Sequence, residues 1–249
     1  MIFQIGVNGF IHSQWRGDFY PSILSERDML VYYANRLGAV EIETSFLRMP
    51  SATTLDKWVY ETPDSFRFAL QVPRRITHQK RLKDVAGPVQ DLLNTSKRIQ
   101  RKLGALKFQL PANLRANGER LKQLFKVIPA TIPVAIEFNH ASWFDENHFD
   151  CLRNQNAALV VNDANTRATS SPLATGPQAQ IGTDIVTADW TYRHMTHSVY
   201  ETLALEQLLM QATDSHQVRS MLFFTHANNG PHIASQFQHM TPKTQRLLR

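Results

Sequence analysis

The sequence predicts an α/β fold, a TIM (β/α) barrel whose seventh unit is irregular, on three observations. Short β-branched or aromatic runs alternate with longer helical patterns, which is the signature of βα units on a parallel sheet. Eight such runs can be marked, the number a barrel needs, and the turn after the first lacks the glycine-rich fingerprint of an open doubly wound sheet. Along the middle runs, apolar residues of one parity alternate with small or polar residues of the other, as on a sheet with two chemically distinct faces.

Taken in order, the first strand is IFQIGV from Ile2, followed by the helical pattern ERDMLVYYANRL from Glu26. The second and third strands are AVEIET from Ala39 and RFALQV from Arg67, and a long amphipathic stretch, VQDLLNTSKRIQRKL from Val89, leads to the fourth, ALKFQL from Ala105. PVAIEF from Pro133 and AALVVN from Ala157 are the fifth and sixth; Cys151 beside Leu152 falls in the helix between them as a small buried hydrophobe. DWTYRH from Asp189 and SMLFFT from Ser220 are the seventh and eighth, separated by the helix ETLALEQLLMQAT from Glu201. In NNGPHIASQF, Gly230 suits a bend and Pro231 a first helical turn. Only Ala164 to Ala188, rich in Thr, Ser, Ala and Pro, shows no element, and it is expected to cover the barrel mouth.

A single domain over residues 1–249 accommodates all of this. The single cysteine excludes an intrachain disulfide, and the opening MIFQIGVNGF has no basic leader. No run approaches the roughly 18 apolar residues of a membrane span, so a cytoplasmic protein without a membrane partner is expected. The net charge of +6 and pI near 9.6 favour polyanions modestly. The basic residues gather in RRITHQKRLK (74–83) and KRIQRK (97–102), with no aromatic residues interleaved for base stacking, so a solvated face explains them.

Parity also locates the candidate site. Val40 and Ile42, Phe68 and Leu70, Leu106 and Phe108, Val134 and Ile136 form the layer that helices cover; Glu41 and Glu43, Ala69 and Gln71, Lys107 and Gln109, Ala135 and Glu137 face inward. Charged residues inside a barrel need partners, water or a ligand. Glu137 therefore points into the hollow, with Asn139 and His140 at the C-terminal rim, and Asn8, Glu43, Gln71, Gln109, Asp163, His194 and His226 around the same rim. The competing explanation is internal ion pairing, Lys107 with Glu41 or Glu137.

Several stretches together resemble the YecE-like family of TIM-barrel proteins: QWRGDFYP, VEIETSFLRMPS, FRFALQVPRRITHQKRL, LGALKFQLP, VAIEFNHASWF and LVVNDA. They occur in the family's order from Ile5 to Asp163. The resemblance implies a barrel with a polar pocket at its C-terminal mouth, at positions that match here as Glu41, Gln109, Glu137, His140, Trp143 and Asp163, and it brings no reaction with it. The departures are Phe10 for the usual Trp, Glu43 for Asn, Gln71 for Lys and Asn139 for Arg, with His194 and Thr196 where the family tends to Arg-x-His. Pocket cations are thereby lost or replaced by histidine, which argues against a strongly anionic ligand.

The chemistry expected first is acid–base work on a small polar, sugar-like ligand, as in a hydrolase or isomerase. Glu137 is then the acid or base, His140 or Asp163 its partner, Gln109 and Asn139 orient ligand hydroxyls, and Glu41 and Trp143 line the pocket. A divalent metal on Glu43, Glu137, Asp163, His194 and His226 is a weaker reading, because no HExxH or paired Cys-x-x-Cys supports it; the cofactor is left open and no metal ligand is assigned. Nucleic-acid binding or metal-dependent phosphodiester chemistry, and a non-catalytic ligand-binding barrel, are the alternatives from other classes. A nucleophile elbow G-x-S-x-G is absent.

Overall fold

The computed structural model describes residues 2–162, 187–195 and 219–224, with positions 230–232, 234, 235 and 239 of a final segment. The sheet is wholly parallel. Strands β1 (Ile2–Asn8), β2 (Ala39–Ile42), β3 (Arg67–Gln71), β4 (Leu103–Gln109), β5 (Val134–Glu137), β6 (Ala158–Asn162), β7 (Trp190–Met195) and β8 (Arg219–Phe224) pair in chain order. β8 returns to β1 in the register Ile2 with Arg219 through Val7 with Phe224, closing the ring of strands. Each strand expected from the pattern is present, with ends displaced by two residues at most, as at Leu103.

Helices α1 (Met29–Ala34), α2 (Ala52–Glu61), α3 (Ala86–Ser96), α4 (Gly118–Val127) and α5 (Glu146–Gln155) cover the first five units. The N-termini of α2, α4 and α5 are capped by Ser51, Asn117 and Asp145, whose side-chain oxygens accept from the backbone N–H three residues on. Asn156 in the left-handed region, φ 53°, ends α5. The pattern from Glu26 begins as a 3-10 turn, Glu26–Asp28, and that from Val89 ends as one, Lys97–Lys102. The second tightening has a cause in the run read as solvated. Lys102 is buried, and its Nζ donates to Val59 O at 2.7 Å and Thr62 O at 2.6 Å, a cation against the last carbonyls of α2. The helix expected from Glu201 lies outside the described residues, as does the expected mouth cover at 164–186. Thr187 and Ala188, assigned with that cover, are instead buried at the opposite end: Thr187 Oγ1 donates to Ala157 O at 2.8 Å and accepts from Leu159 N at 2.9 Å.

Two cores follow from strand parity. Val40, Ile42, Phe68, Leu70, Leu106, Phe108, Val134 and Ile136 belong to the layer between sheet and helices. Inside the ring sits a separate cluster, with Ala39, Ala69, Ala105, Ala135 and Ala158 from β2–β6 facing Trp190, Tyr192, Met221 and Phe223 from β7 and β8. Small side chains on five strands leave the volume that the large ones on two strands fill.

At the β1–β2 seam a side chain joins the ladder. The buried Tyr33 hydroxyl accepts from Val7 N at 2.9 Å and donates to Ala39 O at 2.7 Å. Tyr33→Phe strands one N–H and one carbonyl without water, so urea unfolding should report a loss of about 1–3 kcal/mol, above the effect of deleting a surface hydroxyl.

Candidate functional site

The inward parity of β2–β5 turns polar toward its C-terminal end, and there the side chains join in one network. Glu41, with no exposed surface, accepts from Lys107 Nζ on Oε1, and on Oε2 from the Tyr192 hydroxyl and from His194 Nε2, the last at 2.8 Å. Because a carboxylate only accepts, His194 carries a hydrogen on Nε2, and the 3.5 Å between that nitrogen and Lys107 Nζ is proximity without a bond. Lys107 turns its other side to Glu137 Oε2 at 3.7 Å. Gln109 Nε2 donates to both oxygens of Glu137 at 3.1 Å, its own carbonyl accepts from Gln71 Nε2 at 3.1 Å, and Asn139 Nδ2 reaches Leu110 O at 2.9 Å and Glu137 Oε1 at 3.4 Å.

Strand register explains the convergence. Gln109 is opposite Glu137, Lys107 opposite Gln71, and Asn8 opposite Glu41 on neighbouring strands, so one layer of the ring collects all of them. Buried Ser45 fixes the top of β2 against β3, with Oγ 2.6 Å from both Ile42 O and Gln71 O.

Charge is distributed unevenly among the acids. Burial works to raise the Glu41 pKa, but Lys107 and then His194 oppose it, and the net result is far below the usual carboxylate range. Burial likewise works against the Lys107 ammonium, yet Glu41 and Glu137 overcome it and hold its pKa above the ordinary lysine value. The Tyr192 phenol is pushed well up by burial and by Glu41. Glu43, on the 3-10 turn after β2, goes the other way from Glu41: partial desolvation, then the charge of Glu41, raises its pKa. Its Oε1 accepts from Asn8 Nδ2 at 2.7 Å, whereas the enclosed Asn8 Oδ1 receives no hydrogen bond among the described residues.

The expected residues thus divide. Asn8, Glu43, Gln71, Gln109, Glu137 and Asn139 come together at the C-terminal end. Glu41 and His194 are corrected from ligand contacts to internal partners, since Glu41 has no exposed surface and both its oxygens are occupied, and His194 is buried against it. Trp143 is corrected from a pocket-lining residue to the outer core: it is 1% exposed, lies parallel to Phe138 at 5.0 Å and donates Nε1–H to Leu114 O at 2.8 Å. His140 caps the turn Ala141–Trp143, its Nδ1 accepting from Ser142 N at 3.1 Å, and among the described residues it makes no hydrogen bond or ion pair with Glu137; it is not the partner expected for that carboxylate. Asp163 and His226 lie outside the described residues. Among the described residues no three of His, Cys, Asp and Glu gather as a metal-holding group, and no helix is long and apolar enough to cross a membrane.

Sequence reasoning treated Lys107 only as an ion-pair partner and passed over Tyr192 and His78. Lys107 was on the inward parity and therefore findable; Tyr192 is joined to Glu41 across 151 residues, which no local pattern reveals. His78 sits on a π-helical turn, Arg75–Gln79, just beyond β3, and its ring meets Phe46 edge-on at 4.9 Å.

A family model described as "Protein of unknown function DUF72" matches residues 4–248. Among curated proteins, UPF0759 protein YunF of Bacillus subtilis is 26% identical over 139 residues, 53% of this chain and 49% of that protein. UPF0759 protein YecE of Escherichia coli K12 is 27% identical over 116 residues, 45% and 42% of the two chains. These alignments span about half the length of the relatives. A DUF72 family protein of Thermotoga maritima shares the fold with a TM-score of 0.80 at 21% identity, covering 97% of this chain and all (100%) of that one. L-ribulose 3-epimerase shares it more loosely, with a TM-score of 0.57 at 12% identity over 100% and 97% of the chains.

Proposed function

The chain belongs to the DUF72 family of proteins of unknown function, and we propose that it performs acid–base chemistry on a small polar, hydroxylated ligand at the C-terminal mouth of a (β/α)8 barrel. Glu137 is the base and Glu43 the acid. Gln109 and Asn139 hold the Glu137 carboxylate in place, and Asn8 Nδ2 holds the Glu43 carboxyl.

The observation that carries the reading is the contrast between two carboxyl groups at one end of the ring. Glu43 stands where desolvation and the charge of Glu41 favour its proton, while Glu137 accepts from two amides and faces an ammonium. Carboxyl groups in opposed settings are the usual arrangement for a proton donor and a proton acceptor at one pH. Glu41 is excluded from the reaction by saturation of both its oxygens.

Incubation with aldoses and ketoses in deuterium oxide tests this. Expected are a thermal stabilisation by at least one sugar and the appearance of deuterium on carbon, with Glu137→Gln losing about 10²–10⁴-fold of the exchange rate while keeping its fold. Exchange that survives in Glu137→Gln, or the absence of any stabilising polar ligand, overturns the reading.

A further inference from the structure

The mouth is acidic inside, but its rim after β3 is not. Pro73 and Arg74 lead directly from the strand into the π-helical turn Arg75–Gln79, and the chain then passes through Arg81 and Leu82, whose φ angles of 51° and 62° are left-handed without being glycine. Such conformations are costly for side-chain-bearing residues and persist where surrounding contacts impose them. Those contacts are present: Arg81 donates to Asn113 O at 2.6 Å and Oδ1 at 3.2 Å, and Arg120 donates to Arg81 O at 3.2 Å. Buried Thr77 places its Oγ1 2.9 Å from His78 Nδ1, and Phe46 closes on the ring edge. In the tautomer in which Nδ1 accepts from that hydroxyl, Nε2–H is a fixed donor.

We propose that Arg74 and His78, with Arg81 behind them, form an anion subsite beside Glu137, and that the ligand is a small hydroxylated molecule bearing a phosphate or carboxylate group. The proposal rests on the reading of Glu137 given above for the hydroxylated part of the ligand. Its own support is separate. Among the described residues Arg74, Arg75, Lys80 and Arg81 make no ion pair, so no described carboxylate pairs with this charge. The imidazole feels Arg74, Arg81 and Glu137 together: burial and then the two guanidinium groups lower its pKa, against the pull of the carboxylate. Geometry makes the basic rim and the acidic floor neighbours: His78 packs on Phe46 of the turn that carries Glu43, and Gln71, at the end of the strand that leads to Arg74, bonds the Gln109 that holds Glu137, which suits a ligand with an anionic end and a hydroxylated end. The cations missing from the inward strand positions are replaced from the loop.

The test is calorimetry and thermal shift on the full chain with inorganic phosphate, aldose monophosphates, aldonic acids and the corresponding neutral aldoses. Expected is tighter binding of one anionic series than of its neutral sugars, with Arg74→Gln and His78→Gln each weakening that series about 10–100-fold and leaving the neutral sugars unchanged. Preference among phosphates or aldonic acids identifies which anion the rim takes. Equal binding of neutral and anionic sugars, both lost in Glu137→Gln, overturns the subsite and leaves the carboxylate reading standing. Anion binding that depends on Arg74 and His78, together with deuterium exchange that survives in Glu137→Gln, supports the subsite and removes that reading. No anion bound at all, with circular dichroism confirming the fold, overturns the subsite.

Discussion

Glu41→Gln is expected to destabilise the protein by about 3–5 kcal/mol, the usual result of leaving one member of a buried ion pair without its partner, which for a chain of this size lowers Tm by on the order of 10 °C. Lys107 is 1% exposed, and its remaining ion-pair partner among the described residues, Glu137, is 3.7 Å away. A glutamine has a single acceptor for three donors, and its own N–H groups turn toward Lys107 or toward Tyr192 and His194. Adding Lys107→Met should recover part of the loss, because the uncompensated ammonium is then gone. A Tm change below about 2 °C in the single variant contradicts the assignment of Glu41 as an internal anchor.

The same substitution alters the acid limb of stability, and the direction follows from linkage. Folded Glu41 resists the proton that the unfolded chain takes up near the ordinary value of 4.5. Its contribution is therefore present above that pH and is lost as pH falls from there toward the depressed folded value. Lys107 is the mirror case: its contribution is present below the ordinary lysine value of 10.5 and is lost as pH rises beyond it through the raised folded value. Urea midpoints between pH 6 and pH 3, taken as about the accessible range, should fall less steeply in Glu41→Gln than in the natural sequence.

Gly6→Ala should cost about 3 kcal/mol or more, at the upper end of overpacking effects. A β-carbon at Gly6 would lie 2.0 Å from Ala39 O and 3.1 Å from the Tyr33 hydroxyl. The nearer obstacle is backbone, which no rotamer change removes, so β1 must part from β2 at the point where the tyrosine already bridges them. Combined with Tyr33→Phe, the losses should be less than additive, since the first substitution disturbs the bond that the second deletes. Urea unfolding that shows a loss under about 1 kcal/mol for Gly6→Ala excludes the tight seam.

Strand parity was the most informative signal. Because side chains alternate with period two, Val40 and Ile42 could be separated from Glu41 and Glu43, and Phe108 from Lys107 and Gln109, without knowing any contact. The same rule placed Gln71, Gln109 and Glu137 at one end. It fails beyond the strand ends. His140 and Trp143 follow Glu137 closely, but a capping turn directs one to Ser142 and the other to Leu114, and loops have no period to read. His78 was hidden in a basic run because its placement depends on a π-turn and left-handed residues that composition does not encode. The saturation of Glu41 needed Lys107 from β4 and Tyr192 and His194 from β7, which is tertiary information.

The donors that surround Glu41 come from far sides of the ring, so this carboxylate fastens β2 to β4 and β7 from within. Cohesion is thus assigned to a layer that solvent does not reach, and the proposed recognition to the side chains above it. A chain divided in this way should tolerate exchange of Asn8, Glu43, Asn139 or His78 with less penalty to folding than exchange of Glu41 or Lys107.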